Sequence, residues 1–85
     1  MLLLNNMRLD ILNLRGVLYE GEATEVSLRT TSGDIAVLDH HRPLISSLKP
    51  GLVTVTDREG KKQGFDSTGG FLEVRPDNSV RVLLD

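Results

Sequence analysis

Apolar residues in this chain recur at every second position, and this restricts its fold more than any other feature. Glu25-Val26-Ser27-Leu28-Arg29-Thr30 alternates polar and apolar, placing Val26 and Leu28 on one face. Val53 and Val55 in Leu52-Val53-Thr54-Val55-Thr56 do the same, as do Leu9 and Ile11 near the start and Val80, Val82 and Leu84 near the end. Successive side chains of a strand point to opposite faces, so each run buries one face and wets the other. Turn signals separate the runs at short intervals: Gly21-Glu22, Ser32-Gly33-Asp34, Lys49-Pro50-Gly51, Asp57-Arg58-Glu59-Gly60, Gly69-Gly70 and Pro76-Asp77-Asn78-Ser79. This spacing predicts an all-β fold, an antiparallel β-sandwich or flattened barrel of about 8–10 short strands. Asp57–Gly60 is the clearest hairpin, with Gly60 in the left-handed position. Gly69-Gly70 is expected to make a bulge or tight corner. Pro43 and the β-branched residues nearby make 43–48 a strand rather than a helix.

With 85 residues there is room for one domain and one modest core, since a chain of this size buries roughly 60–65% of its unfolded surface. Residues 7–85 are expected to form that domain. Met1–Asn6 is expected to be a disordered extension, because three leucines followed by two asparagines are too short for a signal peptide or a spanning helix. No stretch predicts direct membrane insertion. The net charge of −2, with the two signs interspersed, offers no polybasic face to nucleic acid or anionic lipid. Tyr19, Phe65 and Phe71 are the only aromatics, too few for the base-stacking surface of a nucleic-acid-binding barrel. Cysteine is absent, which removes disulfides and thiol chemistry.

No catalytic pattern emerges. Neither GxGxxG nor GxxxxGK[ST] occurs. Asp34, Asp39, His40 and His41 carry metal-ligating groups, but adjacent histidines on an extended segment point apart and cannot share one ion. Ser46, His41 and Asp39 are close in sequence, which is not triad geometry. Lys61 and Lys62 sit at a hairpin tip, yet lack the MKM or DKA setting of biotin and lipoyl carriers. No catalytic residue, metal site or cofactor is therefore expected. The stretch Gly33–Gly51, GDIAVLDHHRPLISSLKPG, joins two apolar segments through a polar loop and closes on a Lys-Pro-Gly turn. It reads as a shaped loop held against another protein.

Four blocks carry a resemblance: GVLYEGEA at 16–23, GDIAVLDHHRPL at 33–44, SLKPG at 47–51, and GGFLEVRPDNSVRVLLD at 69–85. In order and spacing they are similar to the N-terminal β-sandwich domain of the epsilon subunit of F-type ATP synthase, called delta in mitochondria. The second block resembles the pattern G-E-[LI]-G-[VI]-[LY]-P-G-H-A-P-L, and the fourth resembles GGxLEVxPNxVTVLAD. The chain departs from the pattern where Asp39-His40 replaces Pro-Gly, exchanging a stiff and a permissive residue for two ordinary ones. It departs again where Asn13-Leu14-Arg15 replaces Thr/Ser-Pro-Glu. Family members usually continue into two antiparallel helices; this sequence stops at Asp85, so no C-terminal helical domain is expected.

The resemblance implies a non-catalytic central-stalk subunit that links the gamma subunit to the membrane c-ring, on the cytoplasmic face of a bacterial inner membrane. Carried over by position, Asp34 matches the acidic residue facing the ring's polar loops. Asn13, His41, Pro43 and Ser46 match positions facing gamma. The plainest local roles are a turn-forming carboxylate for Asp34 and a hydrogen-bonded loop anchor for His41. The alternative is a free-standing β-sandwich binding module with a non-rotary partner, encouraged only by the altered Asp39–Arg42 loop.

Overall fold

A computed structural model describes residues 7–85, and the expectation for Met1–Asn6 lies outside them. Nine strands follow one another: β1 Met7–Asn13, β2 Gly16–Ala23, β3 Glu25–Thr30, β4 Gly33–Leu38, β5 Leu44–Leu48, β6 Gly51–Thr56, β7 Lys62–Ser67, β8 Gly70–Val74 and β9 Ser79–Leu84. No helix occurs among the described residues. The strands form one sheet in the order β2-β1-β9-β8-β5-β3-β6-β7, with β4 added to β3. It folds over into two layers, and β3 makes the corner: Glu25, Val26 and Ser27 pair with β6, whereas Thr30 pairs with Leu48 of β5.

The alternating residues line the space between the layers. Leu9, Ile11, Val26, Val37, Leu72 and Val82 are fully buried, and Leu28, Val53, Val55, Val80 and Leu84 nearly so. Each such side chain contributes about 1.5–3 kcal/mol by leaving water. Tyr19 and Phe65 close the seam where β2 lies over β7, their rings edge-on at 6.5 Å. The expected hairpin is present between β6 and β7: the Asp57 carboxylate accepts from the amides of Glu59 and Lys61 at 2.9 and 2.8 Å, and Gly60 has φ +84°.

The structure corrects two expectations of detail. β1 and β9 pair in parallel, Arg8 with Ser79 through Leu12 with Leu83, inside an otherwise antiparallel arrangement. Alternation records which face a side chain takes and is silent on strand direction, and no hairpin ties these two sequence-distant strands. Gly21-Glu22 is not a turn: both residues lie within β2, opposite Leu9 and Arg8. A lone glycine ends a strand only where the ladder also ends, and here the pairing continues to Ala23.

The ladders define two ends. Leu48 pairs with Gly70, Gly70 with Leu84, and Leu83 with Leu12. The turns at 31–32, 49–50 and 68–69 and the β1–β2 tip therefore share one end. The loop at 39–43 and the Pro76–Asn78 turn share the other, about 20 Å away along β9 at 3.3 Å per residue.

Candidate functional site

Three surfaces carry the residues singled out above. At the far end the chain leaves β4 through a tight turn, closed by the His41 amide donating to Leu38 O at 3.1 Å. His40 occupies the left-handed region at φ +58°, a conformation costly to a residue with a Cβ. The Asn78 side chain accepts from the His40 amide at 2.7 Å and donates to Asp39 Oδ1, while the His40 ring meets Asp39 Oδ2 at 2.7 Å. Desolvation raises the Asp39 pKa, but the hydrogen bonds from Asn78 and His40 and the charge of His40 outweigh it and hold the carboxyl below its ordinary value. Asp77, in the facing turn, is also lowered, chiefly by its hydrogen bond from Ser79. Carboxylates lowered in the folded state add stability above their unfolded pKa and lose it as pH falls through the folded one. Acidification below the ordinary 3.8 should therefore loosen this end first. Urea midpoints followed from neutral to acid pH should fall less in Asp39→Asn than in the parent; equal falls would contradict the clamp.

The two imidazoles take different partners. His41 Nδ1 lies 2.7 Å from Arg42 O, which can only accept, so Nδ1 carries the proton. The loop-anchor role expected of His41 is thus seen. Ser46 stands opposite buried Leu72 on the inward side of β5, and its hydroxyl donates to Ser47 O at 3.1 Å. Asp39 is already engaged by His40 and Asn78, so Ser46, His41 and Asp39 do not align for nucleophilic chemistry.

At the near end, Asp34 faces Arg29 across the β3–β4 ladder, with Oδ1 3.2 Å from Nε and both side chains exposed. The turn beside it is shaped by Thr30, whose hydroxyl donates to Gly33 O at 2.7 Å and accepts from the Ser32 amide at 3.1 Å. The turn-forming role proposed for Asp34 thus belongs to Thr30. Asp34 is left as a surface carboxylate paired with its arginine. Asn13 bends the β1–β2 tip by accepting from the Arg15 amide at 2.8 Å, and this presents Leu14 at 99% exposure.

The third surface is the outer face of β5, β8, β9, β1 and β2, which reading the alternation for buried residues overlooks. Register places Phe71, Leu83, Leu12 and Val17 in one row across four strands. Phe71 is 56%, Leu83 46% and Val17 57% exposed, and Ile45 in the next row is 75% exposed. Ile45, Phe71, Leu72, Glu73, Arg81 and Leu83 line a shallow groove of about 220 Å³. A second depression continues from Ile45 to Pro43 and Pro76. The rest of the adjoining row is charged: Glu73, Arg81, Asp10 and Glu20, with ion pairs from Arg75 to Glu73 and from Arg8 to Asp10 and Glu20. A contiguous apolar patch rimmed by paired charges has the anatomy of a protein interface. The available signal was that Leu12, Phe71 and Leu83 sit out of phase with the buried residues of their own strands.

The structure therefore separates the expected gamma-facing set. Pro43 and His41 lie at the far end, Ser46 lies mid-strand on the inner side, and Asn13 lies at the near end with Asp34. The outer face of β5, β8, β9, β1 and β2 runs between the two ends.

Residues 6–85 match the family model of the ATP synthase Delta/Epsilon chain, beta-sandwich domain. The chain belongs to that family. Among solved structures, this delta/epsilon sandwich is similar to a chain of the Euglena gracilis mitochondrial ATP synthase, in an assembly of OSCP, F1 and c-ring. The TM-score is 0.89 and the identity 22%, over 99% of this chain and 53% of that one. It is also similar to a chain of the Tetrahymena thermophila mitochondrial ATP synthase central stalk and c-ring, with a TM-score of 0.76 and 15% identity, over 92% of this chain and 62% of that one. The sandwich thus spans about half the length of the Euglena chain, and these likenesses carry the fold. Family membership ties it to the ATP synthase and gives no support to the free-standing alternative.

Proposed function

We propose that this delta/epsilon sandwich is a non-catalytic coupling piece of the central stalk, joining the gamma subunit to the c-ring so that rotation passes between them without slip. The observation that carries the reading is the exposed apolar row of the outer face, on a sheet whose inner face already has a filled core. A coupling piece needs a stiff body and two surfaces that do not overlap. Nine strands around one core supply the body. The outer face, running from Pro43 to Leu14, is the surface for gamma, with His41, Pro43 and Asn13 at its two ends; Ser46 acts from behind by setting the course of β5. The near end, with Asp34 at its edge, is the surface for the ring's polar loops. Each contact must bury about 1,000 Å² or more to hold. The setting is the membrane face that carries the catalytic head. The cytoplasmic face of a bacterial inner membrane was expected from the resemblance, whereas both solved neighbours are mitochondrial.

Titration against recombinant gamma tests the reading directly: saturable binding is expected, and failure to bind under any salt condition would overturn it. Asp34→Lys tests the ring surface. It sets a lysine beside Arg29, where a carboxylate now accepts at 3.2 Å, and reverses the charge offered to the ring. Folding should change little, since an exposed pair contributes about 0–1 kcal/mol. Attachment of the soluble head to the membrane sector should become weaker and more salt-sensitive. Unchanged, salt-resistant attachment would remove Asp34 from the contact.

A further inference from the structure

We infer that Asn78 is the positioning residue of the docking loop: its side chain holds His40 in a left-handed turn and so sets the direction in which Arg42 and Pro43 leave β4. The inference rests on the proposal that this loop meets gamma. A chain turning at positive φ ordinarily uses glycine, which has no Cβ to collide with the neighbouring carbonyl. Here the position is His40, at φ +58°. Within the turn, the His41 amide donates to Leu38 O at 3.1 Å and the His40 ring meets its own neighbour, Asp39. The remaining restraint comes from across the fold. Asn78 lies 38 residues further along and accepts from the His40 amide at 2.7 Å while donating to the Asp39 carboxylate. One side-chain amide thus grips both central residues of the turn, using its acceptor for one and its donor for the other.

Asn78 is itself fixed. Its φ is +62°, a conformation asparagine tolerates better than most residues, and its carbonyl accepts from the Arg8 amide at 3.2 Å. The β8–β9 turn is therefore a rigid post, anchored on β1, to which the β4–β5 loop is tied. Strained residues persist where their surroundings over-determine them. Because Pro43 and Pro76 line one depression with Ile45, the tie also sets the rim of the outer apolar face. Asn78 need not touch gamma to govern how well gamma is held.

Asn78→Gly isolates the effect, since glycine accepts φ +62° and only the side chain is lost. The expected result is affinity for recombinant gamma about tenfold weaker, the scale on which local strain of this kind is felt, with displaced amide resonances for residues 39–42. His40→Gly alone should change affinity less than about twofold, because glycine adopts the turn unaided. In the Asn78→Gly/His40→Gly double variant, most of the lost affinity should return, which a general loss of stability would not produce. Unmoved amides at 39–42 in Asn78→Gly would overturn the inference, as would a double variant as weak as Asn78→Gly alone. Displaced amides with undiminished gamma affinity would instead leave the clamp standing and remove this loop from the gamma contact.

Discussion

Gly70→Ala is expected to destabilise the fold by about 4 kcal/mol or more, the range reached when a substitution forces backbone apart. A Cβ built on Gly70 would lie 1.9 Å from Leu83 O and 3.0 Å from Leu84 Cα, backbone atoms that cannot rotate away. The same residue has φ +141°, so strain adds to collision. The affected ladder is central: Gly70 pairs with Leu48 on one side and Leu84 on the other, and losing it would part β8 from both neighbours. Gly33→Ala is the matched control. Its φ is +128°, but nothing lies within 4 Å of the added methyl, so strain alone applies, at about 1–3 kcal/mol. Urea unfolding of the two variants separates the terms. Equal losses would mean that the corner has room to relax, and that close approach of β8 and β9 is not what the glycine serves.

Phe71→Glu should leave the fold intact and sharply weaken docking to gamma. The ring is 56% exposed on the outer face, so replacing it disturbs no core contact of consequence. In a complex, however, the new carboxylate would be buried against apolar surface beside Glu73. The expected loss is about 100-fold in affinity, within the range of central aromatic anchors at interfaces, while thermal midpoints stay close to the parent. Leu52→Glu is the control: Leu52 is similarly exposed at 53% but points outward from the other layer, and gamma affinity should hold. Equal losses in the two variants would point to non-specific stickiness. No loss in Phe71→Glu would move the gamma surface elsewhere and leave the apolar row unexplained.

Much of this molecule is legible in the order of its residues, for reasons local to each strand. Val26 and Leu28, Val53 and Val55, and Val80, Val82 and Leu84 are inward in sequence and inward in space, because period-two alternation can bury only one face. The Asp57–Gly60 turn is equally local, since one aspartate and one glycine supply its bonds and its backbone shape. What escapes is whatever depends on strands brought together from afar. The parallel pairing of β1 with β9 joins the two ends of the described fold. The apolar row from Phe71 to Val17 takes one outward residue from each of four strands, and only the register shows that the four meet. Arg29 is five residues from Asp34, yet only the β3–β4 register shows that it partly cancels the charge expected there.

The same division holds at the loop where this chain departs most from its family pattern. Where Asp39-His40 stands in place of Pro-Gly, the structure makes a left-handed turn at His40, and Asn78, 38 residues further along, accepts from the His40 amide. Residue types and their spacing thus determined the strands and their buried faces, both of which are decided by interactions between near neighbours. Tertiary structure decided which outward residues become one surface and which strained turn is held, because hydrogen-bond register and long-range side-chain contacts exist only once the layers have closed.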